Sequence, residues 1–141
     1  MGEVTVYNDY HLRVAWGDTD AAGIVFYPNF YIWMDRATHE FLDAIGINPA
    51  QLYEGGKVGL PLLETHCAFK SPVKFHELVR IRTSVAEVRA KVFKLTHDFY
   101  RGATLLASGY EVRAWVVFEG ERLKASLIPD EIRAKLEGTG A

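Results

Sequence analysis

Two carboxylates, Asp18 and Asp20, stand in a loop of mostly small residues, Gly17-Asp18-Thr19-Asp20-Ala21-Ala22-Gly23, and the chain then reads Tyr27-Pro28-Asn29. Proline lacks an N–H and holds φ near the helical value, so it suits a first helical turn and places a helix start at Tyr27–Pro28. Backbone N–H groups at that start lie at the positive end of the helix dipole. A carboxylate beside such a start can carry acyl transfer: the acid attacks, or deprotonates water, while an N–H holds the developing oxyanion. Asp20 is the candidate acid. Tyr27 is the candidate donor through its backbone N–H, a group worth roughly 10²–10³ in rate. An Asp ahead of a helix is ordinarily a cap or a turn former, but Asp20 lies too far from Tyr27 to cap this helix. Asp18 reads as the organiser of the loop. Gly23 accepts positive φ at little cost and would let the loop approach an acyl group closely.

The elements that must hold these residues follow from periodicity. Val4, Val6, Leu12, Val14 and Trp16 alternate loosely, as expected of a strand over 4–16 that feeds the loop. From Pro28 the period changes: Phe30, Trp33, Met34, Ala37, Phe41, Ala44 and Ile45 recur at three- and four-residue steps. That predicts an amphipathic helix of about five turns, stopped at Gly46. A short second helix is expected over 48–53, before a turn at Gly55-Gly56. Beyond Gly59 the chain reads as strands: 60–75, broken by Pro61 and Pro72, then segments around 79–85 and 93–99, and one long strand over 105–118. His97 falls on the inward phase of its strand and needs a partner there, while His66 and Cys67 pack on a strand. A terminal helical piece opens at Pro129 and ends in a frayed Gly-Thr-Gly-Ala tail. One long helix followed by a meander of antiparallel strands is α+β, with a single sheet wrapped on the helix and Trp115, Val117 and Tyr110 left on its outer face as an incentive for association between chains.

With 141 residues, 49% hydrophobic and 24% charged, the chain reads as one domain, 1–141, able to bury its own core. A net charge of −2 gives no reason to expect nucleic acid or an anionic membrane as partner. No apolar run reaches the roughly 18 residues of a bilayer span, and the first residues do not resemble a signal peptide or a myristoylation motif. The lone Cys67 cannot form an intrachain disulfide, so a reducing cytoplasm is expected. No His-x-x-x-His pair exists, and no metal site is expected. A Gly-x-Ser-x-Gly elbow is lacking, and Glu54–Gly59 lacks the final Ser or Thr of a phosphate-binding loop.

The run Asp18-Thr19-Asp20-Ala21-Ala22-Gly23-Ile24-Val25-Phe26-Tyr27-Pro28-Asn29-Phe30-Tyr31 resembles the signature of the 4-hydroxybenzoyl-CoA thioesterase family of hot-dog-fold enzymes. The likeness extends more weakly through Trp33 and Asp35 to Phe69-Lys70-Ser71-Pro72-Val73. It implies a hot-dog fold, a long central helix wrapped by an antiparallel sheet of about five strands. It also implies a homodimer, pairing further into a homotetramer, with active sites at the dimer interface. In that family the second Asp of the motif is the catalytic carboxylate, here Asp20. Trp33, Asp35 and Thr38 would line the acyl pocket, and Asp35 would receive a ring hydroxyl; Asp35 equally reads as a helix acid paired with His39 or Arg36. Arg89 and Lys91 match a basic cluster that contacts coenzyme A phosphates. A third basic residue of that cluster is replaced by Ala90, and the segment also reads as a solvated hairpin.

The implied reaction is hydrolysis of an acyl-CoA, here an aryl-CoA, to the free acid and coenzyme A, with no metal or redox cofactor. A short- or medium-chain aliphatic acyl-CoA is the alternative. Hydratases of this scaffold place a His five residues after the Asp, where this chain has Val25 or Gly23. A non-catalytic acyl-CoA sensor would need an attached DNA-binding segment, for which little length remains.

Overall fold

The computed structural model describes residues 6–139. Along the chain come β1 (Tyr7–Arg13), a 3-10 turn (Trp16–Asp18), α1 (Pro28–Ala44), α2 (Pro49–Gly56), β2 (Val58–Gly59), β3 (Leu62–Phe69), β4 (Leu78–Val88), β5 (Val92–Arg101), β6 (Thr104–Ala114), β7 (Val116–Glu119), β8 (Arg122–Ala125) and α3 (Asp130–Glu137). β1, β4, β5, β6 and β3 form an antiparallel five-stranded sheet in that order. It carries α1 on one face, which is the hot-dog arrangement within the α+β class.

The apolar stripe read from the sequence is what joins helix and sheet. Phe30, Trp33, Met34 and Ala37 of α1 pack on Val79, Ile81, Phe99, Leu106 and Ala107 as one core cluster. Phe41 and Leu42 continue into a second, with Phe93, Leu95, Trp115, Ile128 and Leu136. The helix comes closest to the sheet at Gly109. A Cβ there would lie 2.5 Å from the His66 carbonyl oxygen and 2.7 Å from Met34 Sδ, so any side chain would push α1 off the sheet. At its far end α1 stops as expected: the Ile45 N–H bonds back to Phe41 and Leu42, and Gly46 adopts φ +84°.

Several expectations are corrected. The first strand spans Tyr7–Arg13, shorter than 4–16, and positions 4 and 5 lie outside the described residues. The second helix absorbs Gly55 and Gly56, with Asn48 accepting from the Gln51 N–H at its start and Lys57 closing it at φ 56°. The expected long final strand breaks at Trp115. Its N–H bonds to the Lys91 carbonyl and its own carbonyl accepts from Ser126, so the ring swings into the second core cluster and is only 5% exposed. Beyond that break β7 leaves the large sheet for a small one of order β2-β7-β8. Two sheets therefore replace the single one expected. α3 does follow Pro129, while the last two residues of the tail, 140–141, lie outside the described residues.

The outer face of the large sheet is polar and satisfied within the chain. Arg82 reaches Asp9 through two hydrogen bonds and lies over the Tyr7 ring, Arg80 lies over Tyr100, and Lys94 over Tyr110. Exposed apolar residues gather instead on β3, an edge strand, as Leu62, Leu63 and Phe69, and around the start of α1.

Candidate active site

The loop before α1 is tightly bound. Asp18 accepts the Ala15 N–H on Oδ2 at 2.8 Å, and its carbonyl accepts the Phe26 N–H at 2.8 Å and Asn29 Nδ2 at 2.9 Å. It organises the loop, as its sequence context suggested. Around Asp20 the chain turns back on itself: the Asp20 N–H bonds to Ile24 and the Gly23 N–H to Asp20, with Gly23 at φ +80°. The Val25 N–H then bonds to the Val73 carbonyl at 2.8 Å, tying the loop to the chain after β3. The Asp20 side chain is exposed; Oδ1 accepts the Ala22 N–H at 2.8 Å, and Oδ2 has no partner among the described residues. One bond thus sets the rotamer while one oxygen stays open to chemistry.

Beside this loop lies a cleft of about 330 Å³, lined by Ile24, Val25, Tyr27, Phe30 and the segment Phe69–Val73. Its aromatic wall is built by edge-on contacts of Phe69 with Phe30 (ring centres 5.0 Å) and with Tyr27 (6.5 Å). Lys70 and Ser71 hang from the Leu106 carbonyl by their backbone N–H groups, which holds the opposite wall on the sheet. Pro28 follows Tyr27 and starts α1, and the Tyr27 N–H has no acceptor among the described residues. Beside Gly23 the space where a Cβ would stand is empty, so the loop is open to an approaching group. Asp20, Gly23 and Tyr27 therefore belong to one compact piece of structure, with a free carboxylate oxygen, a free N–H and an aromatic cleft. That is an arrangement able to hold a flat acyl group and attack it.

The other site residues read from the sequence lie elsewhere. Trp33 is 3% exposed inside the first core cluster against Phe30, so its ring supports the cleft from behind and does not line it. This departs from the expectation, and the reason is its place on the apolar stripe of α1. Asp35, half-exposed, sits about two turns along α1 from Tyr27 and pairs with Arg113 at 2.9 Å and with His39 at 3.5 Å. Arg89 and Lys91 occupy the turn between β4 and β5, where Arg89 makes two bonds to Glu87. That ion pair lowers the Glu87 carboxyl and raises the Arg89 guanidinium. Neither basic residue lines the cleft within one chain. Cys67 is buried, and burial pushes its thiol up to about 11, which removes it as a nucleophile.

A second constellation was read from the sequence only in the inward lean of His97, and Thr38, expected to line the acyl pocket, is instead fully buried within it, because it lies on the buried side of α1. His97 and Thr83 are fully buried and Glu111 is 2% exposed beneath α1. Thr83 Oγ1 meets His97 Nδ1 at 2.8 Å, His97 Nε2 meets Glu111 Oε1 at 3.1 Å, and the Thr38 hydroxyl of α1 donates to that same oxygen. Because a carboxylate only accepts, this pattern puts a ring proton on Nε2, facing Glu111. Arg113 Nη2 closes the network on Glu111 Oε2 at 3.0 Å. Burial pushes the Glu111 carboxyl up, but the His97 bond and the Arg113 charge outweigh it and leave the carboxyl below its ordinary value.

A profile of the thioesterase-like superfamily matches residues 14–136. The chain belongs to that superfamily. It is 31% identical over 124 residues to the 4-hydroxybenzoyl-CoA thioesterase of Pseudomonas sp. (strain CBS-3), covering 83% of this chain and 88% of the relative. It is also 26% identical over 134 residues to a 1,4-dihydroxy-2-naphthoyl-CoA hydrolase of Parasynechococcus marenigrum (strain WH8102), covering 90% and 87%. Among solved structures it is similar to a gentisyl-coenzyme A thioesterase, with 44% identity and a TM-score of 0.80 over 92% of this chain and 98% of that one.

Two parts of this thioesterase escaped the sequence reading. The wall Phe69–Val73 was visible in the sequence as part of a family pattern, but only the fold shows that it faces Tyr27. Glu111 and Arg113 carried one usable signal: they pair directly across from Leu95 and Phe93, whose inward phase was legible, and paired residues share a face.

Proposed function

We propose that this thioesterase hydrolyses an aryl-CoA thioester bearing a ring hydroxyl, giving the free acid and coenzyme A. The observation that carries this reading is the open Oδ2 of Asp20 together with the unpartnered Tyr27 N–H at an aromatic-lined cleft. The thioester carbonyl would sit against the Tyr27 N–H and the ring in the cleft. Two routes are open to this carboxylate. In one, Asp20 attacks the carbonyl carbon, the C–S bond breaks, and water cleaves the resulting mixed anhydride. In the other, Asp20 takes a proton from the water that attacks. The leaving thiolate needs little proton assistance in either route, because a thiol pKa is only near ~8.5.

The aryl choice rests on the relatives, whose names specify hydroxybenzoyl, gentisyl and dihydroxynaphthoyl thioesters. In this reading Asp35 accepts the ring hydroxyl, and Arg89 and Lys91 meet the phosphates of coenzyme A. Those residues stand apart from the cleft in one chain, so the complete site takes Asp35 or the basic turn from a second copy. The edge strand β3, with Leu62, Leu63 and Phe69 exposed, is the seam proposed for that homodimer, with tetramers formed from dimers. The polar, internally paired outer face of the sheet lends no apolar patch to the tetramer contact. A cytoplasmic setting fits the single buried thiol.

A panel of purified acyl-CoAs, assayed by thiol release, tests the reading. Hydroxybenzoyl-, gentisyl- and dihydroxynaphthoyl-CoA are expected to exceed butyryl- and octanoyl-CoA in kcat/KM. A preference for straight chains replaces the substrate class while leaving the thioesterase chemistry standing.

A further inference from the structure

We infer that Arg113 is a positioning residue for substrate choice: it reaches from β6 to the Asp35 carboxylate on α1 and sets which oxygen that group presents. This rests on the proposed role of Asp35 as acceptor of a ring hydroxyl. Arg113 Nη1 is anchored on the Leu60 carbonyl at 3.0 Å, and Nη2 bonds both Glu111 Oε2 at 3.0 Å and Asp35 Oδ1 at 2.9 Å. The guanidinium is therefore clamped from two sides before it touches Asp35. Glu111 is itself held by His97 and Thr38, so the clamp extends through β5 and back to α1.

The way the donors are used argues against a merely stabilising ion pair. Arg113 is buried, whereas the Asp35 side chain is 54% exposed, and a bond to so exposed a carboxylate adds little to stability. Meanwhile Arg113 Nε is the buried side-chain polar atom without a hydrogen-bond partner among the described residues. An arginine placed for its own satisfaction would use Nε before sharing Nη2 between two acids. The sharing instead holds Asp35 Oδ1 in one place. Asp35 Oδ2 then makes no hydrogen bond among the described residues, with His39 Nδ1 3.5 Å away, and stays available to a donor. A planar, forked guanidinium can impose such a geometry where an ammonium cannot fully replace it.

The test compares kcat/KM for 4-hydroxybenzoyl-CoA with that for benzoyl-CoA, which lacks the hydroxyl. The ratio is measured in the full-length protein and in Asp35→Ala, Arg113→Met, Arg113→Lys and Glu111→Gln. The ratio is expected to fall roughly ten- to hundredfold in Asp35→Ala, the range for one hydrogen bond to a charged group. It should fall nearly as far in Arg113→Met, be partly restored in Arg113→Lys, and fall less in Glu111→Gln. Adding Asp35→Ala to Arg113→Met should lower the ratio no further. If Asp35→Ala lowers the ratio but both Arg113 variants keep it, losing activity on the two substrates equally, the positioning role is overturned and the reading of Asp35 survives. An unchanged ratio in Asp35→Ala overturns both. Where Arg113→Met does not fold, Arg113→Lys and Glu111→Gln decide: a lowered ratio in either supports the role, and wild-type ratios in both reject it.

Discussion

Asp20 and Glu111 are both carboxylates near α1, yet they are held in opposite ways. Asp20 is exposed, accepts one backbone N–H, and its Oδ2 has no partner among the described residues. Glu111 is buried, and both of its oxygens are committed, Oε1 to Thr38 and His97 and Oε2 to Arg113. A carboxylate with both oxygens bonded to fixed donors is a poor nucleophile and a strong bracket. One with a free oxygen on a rigid loop can do chemistry. Burial and a depressed pKa are often read as marks of catalysis, but here they fall on the bracketing acid, while the acid proposed to react is the exposed, singly bonded one.

The sharpest way to break that contrast is to remove the charge of Asp20. Asp20→Asn keeps a side-chain oxygen for the Ala22 N–H, so the turn and the fold should persist while hydrolysis falls roughly 10²- to 10⁴-fold. Steady-state kinetics together with a thermal melt measure both halves of the statement. If Asp20→Asn keeps near wild-type turnover and Asp18→Asn abolishes it, the two acids have been assigned in reverse.

Glu111 should respond in stability. Glu111→Ala leaves Arg113 and His97 buried without their acceptor, and removing one partner of a buried pair costs about 3–5 kcal/mol. Arg113 retains Asp35, so the lower end, about 3 kcal/mol, is expected in urea titration at neutral pH. A change below about 1 kcal/mol would mean that the network is a passive filler.

The same acid gives a pH signature. The folded Glu111 carboxyl lies below its ordinary value, so its contribution is fully present above the unfolded pKa of about 4.3. It is lost as pH falls through the folded value. Wild type should therefore lose more stability than Glu111→Gln between neutral pH and pH values below that carboxylate range. Parallel losses in the two proteins, read from urea midpoints, would remove Glu111 from the acid response.

How far the sequence could be read follows the same division. α1 was legible because its stripe holds one period from Phe30 to Phe41, and nothing local opposes it. The Asp20–Tyr27 end of the site was legible because its chemistry sits in one contiguous segment and uses backbone groups. The inward lean of His97 was readable, its partners were not. Along the β6 stretch from Gly109 to Arg113 the buried positions are Gly109, Glu111 and Arg113, while Tyr110 and Val112 face outward, the reverse of what hydrophobicity suggests. Charges occupy the inward phase because α1, β5 and the Leu60 carbonyl supply their partners, and such long-range satisfaction leaves no local trace. Trp115 misled for a related reason: alternation continues through it, and only its backbone bonds to Lys91 and Ser126 and its burial in the core cluster with Ile128 and Leu136 mark where the strand ends.

The smallest expected effect belongs to the basic turn, where the contrast between open and committed groups can be carried from acids to bases. Arg89 is exposed and already bonded to Glu87, so contact with a coenzyme A phosphate would require it to exchange or share that partner. Lys91 beside it has no side-chain hydrogen bond or ion pair among the described residues. Arg89→Ala should therefore raise KM by a few-fold with kcat nearly unchanged, since an exposed charge pair is largely offset by solvent. The effect should shrink as salt is added, because at about 0.15 M the screening length is only ~8 Å. Titrating KM against ionic strength for wild type and Arg89→Ala measures both features. Equal KM values for the two proteins at low salt would return Arg89 to a surface ion pair with Glu87 and leave phosphate contact to other residues.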